Sequence, residues 1–352
     1  MTLCETAPEP MRTDRHSAVT GTVAVHAPGR LHLGFLDPAA SLGRAFGSVG
    51  LVIEGFETVV SVGSALRDTL TADTPATQAE LARAGDCLEA LRRHTGLHEA
   101  LHLRLLQVLP AHAGFGSGTQ LALAIGHAFA HWHGLPLDSA VLARWLGRGA
   151  RSGIGIAGFE QGGLLVDGGP AADGAPAPLL ARLALPDAWR VIVIQHAAQR
   201  GLSGDREKRA IETIAAIAPL SRAAAADICH QVLMRVLPGA ACAEFALFAA
   251  GVTRVQQVLG DHFASAQGGS AYASTAVGRL VRWLFDASRG AAIGQSSWGP
   301  TGFAIVASQA EADSLVSSAR SAGLIGPELS LSIVRGRNQG GRIVDPRARP
   351  PG

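Results

Sequence analysis

Leu101, Leu103 and Leu105 alternate with His102 and Arg104, the period-two pattern of a half-buried strand. The chain runs from there into Pro110-Ala-His-Ala-Gly-Phe-Gly-Ser-Gly-Thr119. Beyond it, Leu121, Ile125, Ala128 and Trp132 share one helical face, ending at Gly134. The predicted unit is strand, glycine-rich loop, helix. Upstream, the pattern predicts strands at Thr22–His26, Leu51–Ile53 and Val59–Val62, with glycine punctuation at Gly43, Gly47 and Gly50. Thr77-x-x-Glu80 reads as a capping box for a helix carrying Leu81, Ala84, Leu88 and Leu91, stopped by Gly96. Asp138 is predicted to cap a helix whose inward face holds Val141, Leu142, Trp145 and Leu146.

Residues 168–187 concentrate glycine and proline, so the domain boundary is expected there. Arg190–Ile194 opens the second half as a strand, followed by helical patterns at about 206–218, 221–236, 242–264 and 274–289. Strands at Phe303–Ala307 and Leu329–Val334 flank a helix near Glu311–Ala322. Each half mixes strands and helices without repeating a βα unit, which predicts an α+β fold rather than a doubly wound sheet. The expected organisation is a disordered N-terminus (1–20), domains over 21–180 and 188–340, and a tail over 341–352 ending in the polar stretch Arg347–Gly352.

Composition narrows the function. A chain of 352 residues is long enough for two domains, and 47% hydrophobic against 16% charged residues is a globular balance. The net charge of +2 gives no basic footprint for nucleic acid. Cys4, Cys87, Cys229 and Cys242 are scattered, which argues against a zinc site or a disulfide framework. Charged residues from Glu5 to Arg15 break any secretory apolar region, and no apolar run reaches the ~18 residues of a membrane span. The expected location is cytoplasmic.

The loop Gly114-x-Gly-x-Gly118 opens a helix, where backbone N–H groups and the helix N-terminus suit an anion. The same glycines equally suit a tight turn. Two further glycine segments, Arg151-Ser-Gly-Ile-Gly155 and Gly294-Gln-Ser-Ser-Trp-Gly-Pro-Thr-Gly302, favour the anion. His127 and His131 are spaced i, i+4 but lack the glutamate of a metalloprotease helix, so they read as a polar helix edge. Trp298 offers a ring that can stack on a ligand or pack within its loop, and His32 can contact substrate or orient Asp37.

Together these segments resemble the GHMP kinase superfamily: Ala27-Pro-Gly-Arg30 after the opening strand, Pro110 through Gly118 as the phosphate loop, and 294–302 as the late glycine loop. The resemblance spans most of residues 22–335. It implies a ribosomal-S5-like N-terminal half and a ferredoxin-like C-terminal half. Several kinases of the superfamily carry Ser-Gly-Val-Asp, with the aspartate as base, before a Gly-Gly pair. Here Ser152-Gly-Ile-Gly155 precedes Gly162-Gly163, so glycine stands at the base position.

A narrower resemblance accommodates that departure. Arg30-Leu-His32 with Asp37 and Arg44, Arg151 through Gly163, Gly201-Leu-Ser-Gly204 with Glu207-Lys208, Ala266-Gln-Gly-Gly269 and Gly294-Gln-Ser-Ser-Trp-Gly-Pro300 are similar to the β-ribofuranosylaminobenzene 5′-phosphate synthase family. The resemblance implies joining of phosphoribosyl pyrophosphate to 4-aminobenzoate or 4-hydroxybenzoate with loss of CO2 and pyrophosphate, a step toward tetrahydromethanopterin. It also implies Mg²⁺, no organic cofactor, small-molecule substrates and a homodimer. The expected catalytic residues are Asp37, His32 and Lys208, the chain's single lysine. The expected binding residues are Arg30, Arg44, Gly114, Gly116, Ser117, Gly118, Thr119, Arg151, Ser152, Gln295, Ser296, Ser297 and Trp298, with metal ligands unassigned. An ATP-dependent small-molecule kinase and a ligand-sensing regulator are the competing expectations.

Overall fold

The computed structural model describes residues 21–171, 175, 177–197, 199, 201 and 219–347. Two sheets form the frame. The first holds β1 (Val23–Asp37), β2 (Phe46–Ser64), β3 (Thr69–Ala72), β4 (Leu101–Gln107), β5 (Leu164–Asp167), β6 (Leu179–Leu183) and β11 (Arg342–Val344). The second is antiparallel in the order β10 (Leu329–Val334), β7 (Arg190–His196), β9 (Gly302–Val306), β8 (Ala292–Gln295).

β1 pairs antiparallel with β2 from Val23↔Val62 to Asp37↔Phe46, and the register shifts between Pro28 and Arg30 and again between His32 and Gly34. Such bulges bend a strand and re-aim its side chains. Here they flank Arg30 and His32.

The helices cover the sheets. α1 (Pro75–Gln78), α2 (Leu81–Thr95), α3 (Ser117–Trp132), α4 (Ser139–Trp145) and α5 (Ile154–Gln161) lie in the first half. α6 (Arg222–Gln231), a π turn at Val232–Val236, α7 (Leu237–Ala241), α8 (Phe245–Phe263), α9 (Thr275–Ala287) and α10 (Gln309–Ser321) lie in the second. Leu88, Leu91, Leu121 and Ile125 pack against Val25, Val60 and Leu103 in one core. A central core joins the two halves, bringing Leu31, Leu51 and Phe115 together with Val193, Phe248 and Phe303. The run Val191–Ile194 is apolar on both faces because Val191 and Val193 enter that central core while Ile192 and Ile194 meet Leu280, Leu284 and Leu315 in a third.

Several boundaries differ from the sequence expectation. The strands expected at 51–53 and 59–62 are one strand, β2. The capping box lies one turn earlier, between Thr74 and Thr77, because Pro75 begins the helix there; Glu80 starts α2 without a side-chain cap. The linker-like stretch contains β6, which pairs with β5. The expected tail begins with β11, which pairs with Ala24–His26, and Arg347 then lies over the Trp132 ring at 4.3 Å. His127 is not a polar edge: it is buried, hydrogen-bonded to Ser139 Oγ at 2.8 Å and stacked on Phe159.

Candidate active site

The loop between β4 and α3 turns sharply because Gly116, at the head of the helix, takes φ +76°, a left-handed conformation that favours glycine. Gly116 carries no side chain to cap the first turn; Thr119 N–H donates to Gly116 O at 3.0 Å, while the N–H groups of Ser117 and Gly118 precede any intrahelical carbonyl. They border a cleft of about 380 Å³. Gly114 and Gly299 let the two glycine loops touch: a Cβ on Gly114 would strike the Ser296 carbonyl, and one on Gly299 would strike Ala113. Ser296 is fully buried at this junction, accepting from the His32 N–H at 2.9 Å and donating to Gly114 O at 2.7 Å.

Four arginines line the cleft: Arg30, Arg83, Arg148 and Arg151. Arg30 Nη1 donates to Gly114 O at 2.7 Å, which fixes the guanidinium beside Gly116. Arg148 lies against Gly118, and its Nε is buried with no hydrogen-bond partner among the described residues. Among the described residues no carboxylate lines the cleft. The result is a positive, glycine-walled cleft whose residue chemistry suits an anion. His32 registers that field, because burial first, then the charges of Arg30 and Arg151, push its pKa down to about 3. Its imidazole is neutral at pH 7, and Nε2 is buried with no hydrogen-bond partner among the described residues.

Most expected residues converge. Arg30, His32, Gly114, Gly116, Ser117, Gly118, Thr119, Arg151, Ser152, Ser297 and Trp298 all line the cleft. Gln295 lines a side chamber instead, and Ser296 sits behind the wall. Asp37 and Arg44 are not brought to the cleft lining. The Asp37 carboxylate accepts from Ala39 N, Leu42 N and Ser41 Oγ at 3.2, 2.7 and 3.1 Å, so it holds the turn after β1. Arg44 donates to Gly169 O at 3.0 Å and ties that turn to the segment just after β5. Lys208, with Leu202–Glu207, lies outside the described residues.

The sequence reading missed Arg83, Arg148 and Asp167. Arg148 stands between Gly147 and Gly149, a local signal that could have marked it. Arg83 sits on α2, ion-paired to Glu80 at 2.8 Å, and only the tertiary fold brings it to the cleft. Asp167 is buried and accepts from Gly153 N, Gly169 N and Ser152 Oγ at 2.8, 2.9 and 3.1 Å, which anchors the Arg151-Ser152 segment. Burial pushes its pKa up, against those hydrogen bonds. Gly155 packs tightly: a Cβ there would lie 3.0 Å from Thr119 Cγ2, and its carbonyl accepts from Gln120 Nε2 at 2.8 Å. A side chain at that position would have to displace the Thr119 methyl by a few tenths of an ångström.

The family described as GHMP kinases N terminal domain matches residues 60–163, and that described as GHMP kinases C terminal matches 252–324. A beta-ribofuranosylphenol 5′-phosphate synthase from Archaeoglobus fulgidus is 33% identical over 307 residues, covering 81% of this chain and 88% of its own length. The chain belongs to this synthase family. Membership makes it a transferase of the GHMP superfamily. A second member, from Methanothermobacter thermautotrophicus, is 32% identical over 249 residues, 66% of this chain and 74% of that one. The fold extends beyond the family. Homoserine kinase from Cytophaga hutchinsonii superposes with TM-score 0.65 at 15% identity over 93% of this chain and 99% of its own. Mevalonate diphosphate decarboxylase from Enterococcus faecalis does so with TM-score 0.61 at 13% identity over 92% and 99%. Among the described residues no helix is long and apolar enough to cross a membrane.

Proposed function

We propose that the protein is a decarboxylating phosphoribosyltransferase. It joins phosphoribosyl pyrophosphate to a para-substituted benzoate, 4-hydroxybenzoate or 4-aminobenzoate, and releases CO2 and pyrophosphate on the way to tetrahydromethanopterin. The observation that carries the reading is the cleft itself: four arginines, one of them ion-paired to Glu80, and a helix N-terminus converge on it, which suits a substrate pair bearing a 5′-phosphate, a pyrophosphate and a carboxylate. The phenol in the name of the relatives favours 4-hydroxybenzoate as the acceptor tested first.

The chemistry matches what the cleft has and what it lacks. The ribose C1–O bond breaks with its electron pair leaving on pyrophosphate. The ring carbon that bears the carboxylate, enriched by the para substituent, bonds to C1. The carbon–carboxylate bond then breaks, CO2 departs, and its electron pair restores the aromatic ring. No net proton is taken or delivered, so neither a base at Gly155 nor a protonated His32 is required. Arginine and backbone donors stabilise the charge developing on the leaving group, and the close-packed glycine loops hold the two reactants in register.

Magnesium enters in this reading as the counter-ion of the substrate pyrophosphate. Among the described residues no carboxylate faces the cleft and no three His, Cys, Asp or Glu side chains gather, so the donor set does not build a hard-cation site and no step is assigned to the ion. The cytoplasmic location and the homodimer belong to the same proposal. Incubation with phosphoribosyl pyrophosphate and each benzoate, followed by mass analysis, should give the decarboxylated ribosyl phenol or aniline phosphate. Phosphorylated acceptor formed from ATP would replace this reading with a kinase.

A further inference from the structure

A side chamber of about 40 Å³ opens off the cleft behind His32, sharing His32, Phe35, Ser297 and Trp298 with it. Its walls are apolar: Phe35, Leu259, Phe263 and Trp298, with the Phe263 and Trp298 rings 4.5 Å apart. Three glutamines supply the chamber's amide groups, and their hydrogen bonds can be followed one by one. Gln256 is engaged through both its amide oxygen and its amide nitrogen, accepting from Gln295 N at 2.8 Å and donating to Leu33 O at 2.7 Å. Gln295 is engaged too, accepting from Ala273 N at 2.7 Å and donating to Gln267 Oε1 at 2.8 Å and Ser297 O at 3.0 Å. Gln267 has only that one bond, so its amide nitrogen and one oxygen lone pair are uncommitted among the described residues. At the entrance stands the buried, unpartnered His32 Nε2.

Size decides what enters. A water needs roughly 10–15 Å³, whereas a cavity that takes up a whole benzene is about 150 Å³. A chamber of about 40 Å³ therefore accepts the end of a ring, a small substituent and its neighbouring carbons. With that end inside, the opposite end lies in the cleft that Arg30 and Arg151 line.

We infer that this chamber reads the para substituent of the benzoate acceptor, with Gln267 as the specificity-determining residue. The inference rests on the proposed transferase reading. A para hydroxyl or amine donates to the free lone pair of Gln267 Oε1, and a hydroxyl also accepts from Nε2. The acceptor carboxylate stays with the arginines, which keeps the carbon that bears it in the cleft where the ribose must lie. Since His32 is neutral, the chamber adds no charge and selects a neutral substituent. The role also absorbs the Ala266-Gln-Gly-Gly269 motif, which the phosphate chemistry leaves unused.

Quenching of intrinsic tryptophan fluorescence by 4-hydroxybenzoate, 4-aminobenzoate and benzoate tests this on the full chain. Wild type should bind the para-substituted ligands at least about tenfold more tightly than benzoate, the scale of one protein–ligand hydrogen bond. Gln267→Leu should reduce that preference to within about twofold. Ala271→Leu, which fills the chamber and leaves every glutamine bond in place, should do the same. Pyrophosphate affinity, unchanged in both variants, certifies the fold. Retention of the wild-type preference by either variant, or no preference in wild type, overturns the inference. Binding is read without turnover: a wild type that releases no CO2 defeats the transferase reading, whereas a transferring wild type whose variants keep the preference defeats the chamber alone.

Discussion

Replacing Gly116 tests the anion site at its most constrained point. Its φ of +76° costs a residue with a Cβ roughly 1–2 kcal/mol. The new Cβ would also lie 3.2 Å from Arg30 Cζ and 3.3 Å from Arg30 Nε, too close for the guanidinium to stay where it is. Gly116→Val adds two methyl groups to that contact, so Arg30 must leave its 2.7 Å bond to Gly114 O. A charge-assisted contact is worth about 1.5–3 kcal/mol, so pyrophosphate affinity should fall roughly 10- to 150-fold. Gly134, just beyond the far end of the same helix, provides the control: its φ is +65°, but nothing lies within 4 Å of a Cβ there. Gly134→Ala should lose comparable stability and keep full affinity. Titration calorimetry with inorganic pyrophosphate, paired with thermal melts, reads both quantities. A folded Gly116→Val variant that binds pyrophosphate as wild type does would refute the anion role and leave the loop an ordinary turn.

Further outcomes are equally specific. Arg148→Gln should weaken pyrophosphate binding about tenfold or more and flatten its salt dependence, since one cleft-lining guanidinium charge is lost; affinity within twofold of wild type would remove Arg148 from the site. His32 should show no imidazole titration by NMR at pH 6, because its folded pKa is near 3 against about 6.5 unfolded. The unfolded state then binds more protons between those values, so stability is full above pH 6.5 and falls as pH drops toward 3. His32→Gln should flatten that slope, and a titration midpoint near 6.5 would contradict the burial argument. Asp37→Ala should cost about 2–4 kcal/mol in denaturant unfolding through loss of its three turn bonds, and an unchanged midpoint would refute that assignment. Gly155→Asp should lower the melting temperature and confer no phosphoryl transfer, since its Cβ crowds the Thr119 methyl at 3.0 Å; gain of kinase turnover would contradict it.

What the sequence disclosed depended on how local each signal was. The β4–loop–α3 unit was legible because period-two leucines, three glycines and a helical face follow one another without interruption. β2 reads as two strands in the sequence because Glu54 and Gly55 are exposed in its middle, where Gly55 takes φ +75° and the strand changes partner from β5 to β4. β11 has three residues and no period of its own; its pairing with β1 is supplied by tertiary contact. Asp37 sits next to the motif arginine and histidine, yet Asp37-Pro38 is also a turn signal, and the turn is what its carboxylate serves. Arg83 belongs to the cleft only because α2 packs beside α3.

Release of CO2 is the most direct test of the central claim. Carboxyl-labelled 4-hydroxybenzoate or 4-aminobenzoate, incubated with the protein, phosphoribosyl pyrophosphate and Mg²⁺ in the absence of ATP, should yield volatile label and pyrophosphate in equal amounts. Label retained in the benzoate with both acceptors would contradict the account, as would label released only when ATP is added.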